Sequence, residues 1–268
     1  LIAIILLSQL AFGKHNYYKF EHLNIEEGLS QSVINCILQD SYGYLWFGTQ
    51  DGLNRYDGYN FQRYKHDPTD TNRISGNWIY SITEDQDGNL WIGTRSGLNK
   101  FDRFNNSFIR YFHDPGNKNS LSDNYVHGVF IDSNNDLWIK ATDVLNKLEI
   151  EKNTFTHFNY FVDPLNSYSR NRNFPIIQDK DGIIWFGTPD GLNYIEPTSN
   201  IIHRLSGSEN TKHALSDNFI TSIAQLNDSV LLIGTTFGLN LLNKITLQIS
   251  DVLYASNNKN SLSSNSIN

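Results

Sequence analysis

Two columns of side chains in this sequence are suited to holding a ligand. The first reads Val33, Trp78, Tyr125, Arg172 and Phe219. The second, two residues further on each time, reads Asn35, Tyr80, His127, Phe174 and Thr221. Each pair follows a loop rich in Ser and Asn, so variable chemistry is carried on a frame that repeats. The rings of Trp78, Tyr80 and Tyr125 offer flat faces for stacking, and His127 adds a polar edge. Arg172 brings a planar fork of donors that matches a carboxylate or sulfate. Arg95, in a turn expected on the same side, and Arg170, in the loop itself, would add a cationic rim. This is the chemistry of recognition rather than of bond cleavage. A plainer reading, in which these positions drift and serve packing between repeats, uses the same residues.

Residues for other chemistries are scattered. The single cysteine, Cys36, excludes an intrachain disulfide and a cysteine-built metal site. The eight histidines do not cluster in sequence, so no metal centre is expected. Asp85, Asp87 and Gly88 have the spacing that opens a calcium loop, but Ser96 stands where such a loop needs a bidentate Glu. No nucleophile motif or phosphate loop is present. Most Asp residues sit at turns, and no unrepeated carboxylate pair suggests glycoside cleavage. No catalytic residue and no cofactor are expected. A net charge of −7 without a basic stripe argues against nucleic acid as a partner.

The frame is a repeat. Leu-Trp-Phe-Gly-Thr-Gln-Asp-Gly-Leu at 45–53 returns as Leu-Trp-Ile-Gly-Thr-Arg-Ser-Gly-Leu at 90–98 and Ile-Trp-Phe-Gly-Thr-Pro-Asp-Gly-Leu at 184–192. A worn copy occupies 137–145, and one without Trp occupies 231–239. The column Trp46, Trp91, Trp138, Trp185 and Leu232 advances by 45, 47, 47 and 47 residues. Such a period marks a solenoid, a propeller or an array. Each copy holds a β-rich run, a turn with Asp and usually Gly, the Trp strand, a second turn usually closed by Gly, and two further strands. Asp opens such turns and Gly supplies positive φ.

Four short antiparallel strands per repeat predict an all-β chain, a β-propeller of four-stranded blades. The blades fall at about 31–66, 77–113, 124–160, 171–206 and 218–254. The Trp column is expected to pack between sheets. Gly48, Gly93, Gly187 and Gly234, two residues after Trp or its Leu substitute, should let a neighbouring backbone approach. A second column, Cys36, Ser81, Gly128, Pro175 and Ser222, is uniformly small, as expected where innermost strands converge. The third copy departs most, with Lys140, Ala141 and Val144 where the others have Gly, Thr and Gly.

Residues 1–12 form an apolar run that suits the core of a signal peptide and is too short to span a bilayer. Residues 1–13 are thus expected to be a signal-peptide remnant, with 14–268 an N-terminal propeller of an exported protein. Residues 266–268 would begin a sixth blade, as part of a seven-bladed ring completed elsewhere.

The combination of a Ser-Leu-Ser-x-Asn loop, an Asp-x-x-Gly turn, Leu-Trp-Ile-Gly-Thr-x-x-Gly-Leu-Asn and a His-Asp-Pro strand end resembles the two-component regulator propeller repeat. The resemblance covers nearly all of 17–268. It implies the periplasmic sensor region of a hybrid two-component histidine kinase, anchored in the inner membrane and working as a homodimer. In that family the expected partners are an oligosaccharide released from polysaccharide, the remaining blades, and a second propeller of the same chain. It transfers no catalytic residue, because the repeat motif is scaffold. A propeller lyase or hydrolase, and a protein-interaction scaffold, stand as the alternatives.

Overall fold

A computed structural model describes residues 22–160, 175–197, 199–206, 214–252, 261, 262, 264, 266 and 267. The expected signal-peptide remnant, Arg170 and Arg172 lie outside these residues. Five four-stranded antiparallel sheets carry the chain, each in sequential strand order, and the described residues contain no helix. The first sheet comprises β1 (Ile34–Gln39), β2 (Leu45–Thr49), β3 (Gly52–Tyr56) and β4 (Phe61–Tyr64). The second holds β5 (Ile79–Glu84), β6 (Leu90–Thr94), β7 (Gly97–Asp102) and β8 (Ser107–Tyr111). The third holds β9 (Val126–Ile131), β10 (Leu137–Ala141), β11 (Val144–Glu149) and β12 (Thr154–Asn159). The fourth holds β13 (Ile176–Gln178), β14 (Ile184–Thr188), β15 (Gly191–Ile195) and β16 (Ile202–Leu205). The fifth holds β17 (Ile220–Gln225), β18 (Val230–Thr235), β19 (Gly238–Asn243) and β20 (Ile249–Val252). Successive sheets meet through their first strands: β5 lies against β1, β9 against β5, β13 against β9 and β17 against β13. That is the blade arrangement of a propeller.

Local sequence explains each hairpin. The first turn carries one residue at positive φ in four blades: Gly43, Gly88 and Gly182 supply it, with Asn135 taking the place in the third. The Asp that opens this turn has a second task. Asp40 Oδ1 accepts the backbone N–H groups of Tyr42 and Tyr44, while Oδ2 accepts the indole N–H of Trp46 at 2.7 Å. The same buried bond joins Trp91 to Asp85, Trp138 to Asp132 and Trp185 to Asp179 at 2.8–2.9 Å. A fully buried indole N–H needs such an acceptor. In the fifth blade Leu226 and Leu232 replace the Asp and the Trp together, so neither a donor nor an acceptor is orphaned.

Each Trp packs forward onto the next blade. Trp46 is buried with Ile79, Leu90, Ile92 and Phe101, and Trp185 with Ile220, Leu231 and Ile233. The glycine two residues on is needed for the same joint. A Cβ on Gly93 would stand 2.9 Å from the Val126 carbonyl oxygen, and one on Gly187 would stand 2.8 Å from Ile220 Cβ. The small column proves to lie in this joint as well: Cys36 Sγ fills the space over Gly48, and the Ser81 hydroxyl accepts from Val129 N–H. Close passage of the next blade's first strand at these positions favours small side chains. A polar clamp completes the frame. Loop Ser30 bonds Asn54 and Thr49, Ser75 bonds Asn99 and Thr94, and Ser216 bonds Asn240 and Thr235.

Candidate functional site

The first strands begin later than the sequence pattern suggests, at Ile34, Ile79, Val126, Ile176 and Ile220. The first column of variable residues therefore sits just before them. The second column falls on β-bulges at its four described positions, Phe174 lying outside the described residues. Ile34 pairs with Thr49 and Cys36 with Gly48, which leaves Asn35 as the extra residue, and Tyr80 and Thr221 are extra in the same way. His127 is the extra residue between Val126 and Gly128. A bulge releases its side chain from the pleat and re-aims it. Sequence reading located this column without seeing that a bulge creates it.

Four of the expected residues come together. Trp78 stacks on Tyr80 at 6.1 Å, Tyr80 meets Tyr125 at 5.2 Å, and Tyr125 meets His127 at 5.3 Å. The hydroxyls of Tyr80 and Tyr125 share a short hydrogen bond. Burial, then this bond, raise the Tyr80 hydroxyl above its ordinary value, so it stays protonated and able to donate. Arg95 is exposed at the turn between β6 and β7, with its guanidinium 5.9 Å from the Trp78 ring. Trp78 and Tyr125 are half-buried, whereas Tyr80 and His127 are buried. The run thus has an open aromatic end beneath a cation and a closed end at a histidine.

The closed end contains the chief departure from the repeat. Lys140 takes the glycine position, and its partner across β9 is Gly128, so the missing side chain has moved to the facing strand. Lys140 occupies the space, buried to 2% exposure, and donates to the Gly187 carbonyl of the fourth blade at 2.7 Å. Its ammonium also lies 5.9 Å from the Tyr160 ring. Burial holds the Lys140 amine well below its ordinary value, with Asp143 opposing. His127 Nε2 faces the Thr142 carbonyl at 3.3 Å, which also accepts from the Tyr160 hydroxyl, while His127 Nδ1 is buried without a hydrogen-bond partner. Sequence reading flagged Lys140 as a deviation but did not link it to Gly128, Tyr160 or His127.

Burial, reinforced by the Lys140 charge, pushes the His127 imidazole down to about 3 from its ordinary 6.5. The folded protein therefore leaves His127 neutral where the unfolded chain takes up a proton. Stability is full above 6.5 and falls as pH drops below it. The expected loss from pH 7 to pH 5 is about 2 kcal/mol, at roughly 1.4 kcal/mol per unit once the unfolded histidine is protonated. Urea unfolding of the wild type and of His127→Asn at both pH values checks this: the variant loses that part of the slope.

Among the described residues, no group of three or more His, Cys, Asp or Glu side chains is placed to hold a metal. The Cys36 thiol is pushed up to about 12 by burial, which leaves it unreactive.

The family model of the two component regulator propeller matches residues 28–51, 73–96 and 168–190. These three segments thus match the two-component regulator propeller repeat. Histidine kinase P4 of Formosa agariphila is 41% identical over 76 residues, which are 27% of this chain and 6% of that protein. Among solved structures, the extracellular domain of the hybrid two component system BT3049 from B. thetaiotaomicron is 25% identical with a TM-score of 0.54. That match covers 92% of this chain and 38% of the other, so this chain spans well under half of either relative. Virginiamycin B lyase from Staphylococcus aureus is 12% identical with a TM-score of 0.57, covering 83% of this chain and 70% of the lyase. That likeness shows the propeller fold alone.

Proposed function

We propose that this chain, three segments of which match the two-component regulator propeller repeat, is the ligand-sensing region of a hybrid two-component histidine kinase. It binds an oligosaccharide outside the cytoplasm and passes the signal to a kinase that controls polysaccharide-utilisation genes. In this reading the protein is exported to the periplasm, anchored in the inner membrane and paired in a homodimer. The observation that carries the reading is the continuous run Arg95–Trp78–Tyr80–Tyr125–His127, with Tyr80 and His127 on bulges of adjacent blades. Stacked rings complement the flat apolar faces of sugars, and an exposed guanidinium complements their carboxylates or sulfates. The site proposed here is for binding alone, with the oligosaccharide leaving unchanged.

Calorimetric titration with a panel of neutral and acidic oligosaccharides tests the site. Arg95→Ala is expected to weaken an acidic ligand by roughly 1.5–3 kcal/mol, the range for hydrogen bonds to charged groups. Trp78→Ala is expected to weaken neutral and acidic ligands alike, by about 1 kcal/mol or more. Both side chains lie outside the core clusters, so the fold should persist. Wild-type affinity in both variants would move the recognition surface elsewhere.

A further inference from the structure

The opposite end of the strands, where each Trp-bonded Asp sits, carries a second feature that no part of the sensing proposal uses. The indole-bonded oxygen of this Asp takes a further donor in three blades. Asp40 Oδ2 accepts from Arg103 Nη1 at 2.8 Å, and Asp179 Oδ2 accepts from Lys244 Nζ at 2.8 Å. Both cations come from the turn between the third and fourth strands of the next blade. In the second blade the side-chain amide of Asn89 serves instead, reaching Asp85 Oδ2 at 3.0 Å. Asp132 Oδ2 in the third blade has the Trp138 indole as its donor among the described residues. The Arg103 and Lys244 positions correspond to Pro197 in the fourth blade, six residues after the glycine that opens the third strand.

A cleft of about 470 Å³ opens at this place, between the third and fourth blades. Asp132, Trp138 and Pro197 line it, and Glu196 stands at its rim. Pro197 occupies the start of the path that Arg103 takes in the second blade. Pro197 Cγ lies 3.0 Å from a Cβ placed on Gly182, and Arg103 Nε bonds the carbonyl of the corresponding Gly88. The charges around the cleft permit a cation. Asp179 and Asp181 are engaged by Lys244, Lys180 by Asp228, and Lys147 by Asp136. Lys147 lies over Trp138 at 5.6 Å, but Arg55 lies over Trp46 at 6.0 Å in the blade where Arg103 binds, so the two cations coexist there. Asp132 is 5% exposed, and its Oδ2, which accepts from the Trp138 indole, keeps capacity for a second donor.

We propose that this cleft is a binding site for an alkylguanidinium or alkylammonium group, held on Asp132 in the way that Arg103 is held on Asp40. The aliphatic arm lies along Trp138 and Pro197, and the cationic head replaces the side chain that the fourth blade lacks. The same chemistry is offered by a free organic cation and by an Arg or Lys side chain of a peptide.

Titration of the intact chain, followed by amide chemical shifts, tests this with butylguanidinium and its neutral isostere butylurea. Butylguanidinium is expected to bind at least tenfold more tightly than butylurea, with shifts centred on residues 132–136 and 195–197. Pro197→Arg supplies the cation from within, so it should bind butylguanidinium at least tenfold more weakly than the wild type. Asp132→Asn should weaken it similarly. Should that variant fail to fold, the comparison of charged and neutral probes on the wild type decides alone. Blocked Ala-Arg-Ala and Ala-citrulline-Ala peptides form the second arm. A preference for the arginine peptide assigns the cleft to a partner's side chain, and binding of butylguanidinium without the peptide assigns it to a free cation. Equal response to charged and neutral probes, or unchanged binding in Pro197→Arg, overturns the proposal.

Discussion

Replacing Trp91 with Ala is expected to lower stability by about 3–5 kcal/mol, the cost of emptying a large buried aromatic site. Trp91 is 1% exposed and packs against Val126, Leu137 and Ile139 of the third blade, so the cavity would open in a joint between blades. The loss should also show in the partner carboxylate. Asp85 Oδ2 accepts the Trp91 indole at 2.9 Å, and its Oδ1 holds the turn through Asp87 and Asn89 N–H groups. Asp85→Leu alone would strand the buried indole N–H and the turn donors, at about 1–3 kcal/mol for each group left unmatched. The double variant Asp85→Leu, Trp91→Leu reproduces what the fifth blade has at Leu226 and Leu232. It is expected to cost less than the sum of the single Leu variants, by about 1 kcal/mol or more, as residues sharing one buried bond do. Urea unfolding of the three variants measures the coupling, and strict additivity would show that the bond holds little.

The second large effect is expected at Lys244. Its ammonium lies between Asp179 and Asp181, and the Lys244 and Asp179 side chains are only 3% and 0% exposed. Burial alone would raise the Asp179 carboxyl, but donation from Lys244, Trp185 and the Ile183 N–H holds it below its ordinary value. Lys244→Met leaves that carboxylate without its cation, which costs about 3–5 kcal/mol for a buried pair broken from one side. A carboxyl held low stabilises the fold above its unfolded value, about 3.9, and loses that contribution as pH falls through the folded value. In the variant, burial is opposed only by the Trp185 and Ile183 donors, so the protonated acid is favoured more than in the wild type. The gap between wild type and variant should therefore narrow as the pH falls from 7 to 4. A gap that widened in acid would contradict this account of the pair.

The repeat was legible in the sequence because its strongest signals are packing signals. Trp46, Trp91, Trp138 and Trp185 fall in one column because each fills the same joint, and Gly48, Gly93 and Gly187 recur because the next blade passes there. The indole–carboxylate bond was open to the same inspection. Leu226 and Leu232 depart together, six residues apart, as two ends of one bond would, but turn chemistry by itself also explains an Asp at that position. The bulges at Asn35, Tyr80, His127 and Thr221 are harder to read, since the extra residue belongs to a pairing between strands and not to a local pattern. Compensation between Lys140 and Gly128 is hidden for a related reason. The two residues are twelve apart in sequence and adjacent only across the β9–β10 register. Sequence could nominate Trp78, Tyr80, Tyr125 and His127 as variable positions on a fixed frame. That they form one continuous run follows from the contact between β5 and β9.

The measurement that bears most directly on the proposed role follows the fate of a bound oligosaccharide. The intact chain is incubated with each sugar that binds it, and the mixture is separated and analysed by mass. A sensor returns the ligand with its mass and linkage unchanged after many multiples of its residence time, and Trp78→Ala and Arg95→Ala lower the amount retained. Fragments or unsaturated products that accumulate with time, and that require the protein, would identify an enzyme and contradict the account.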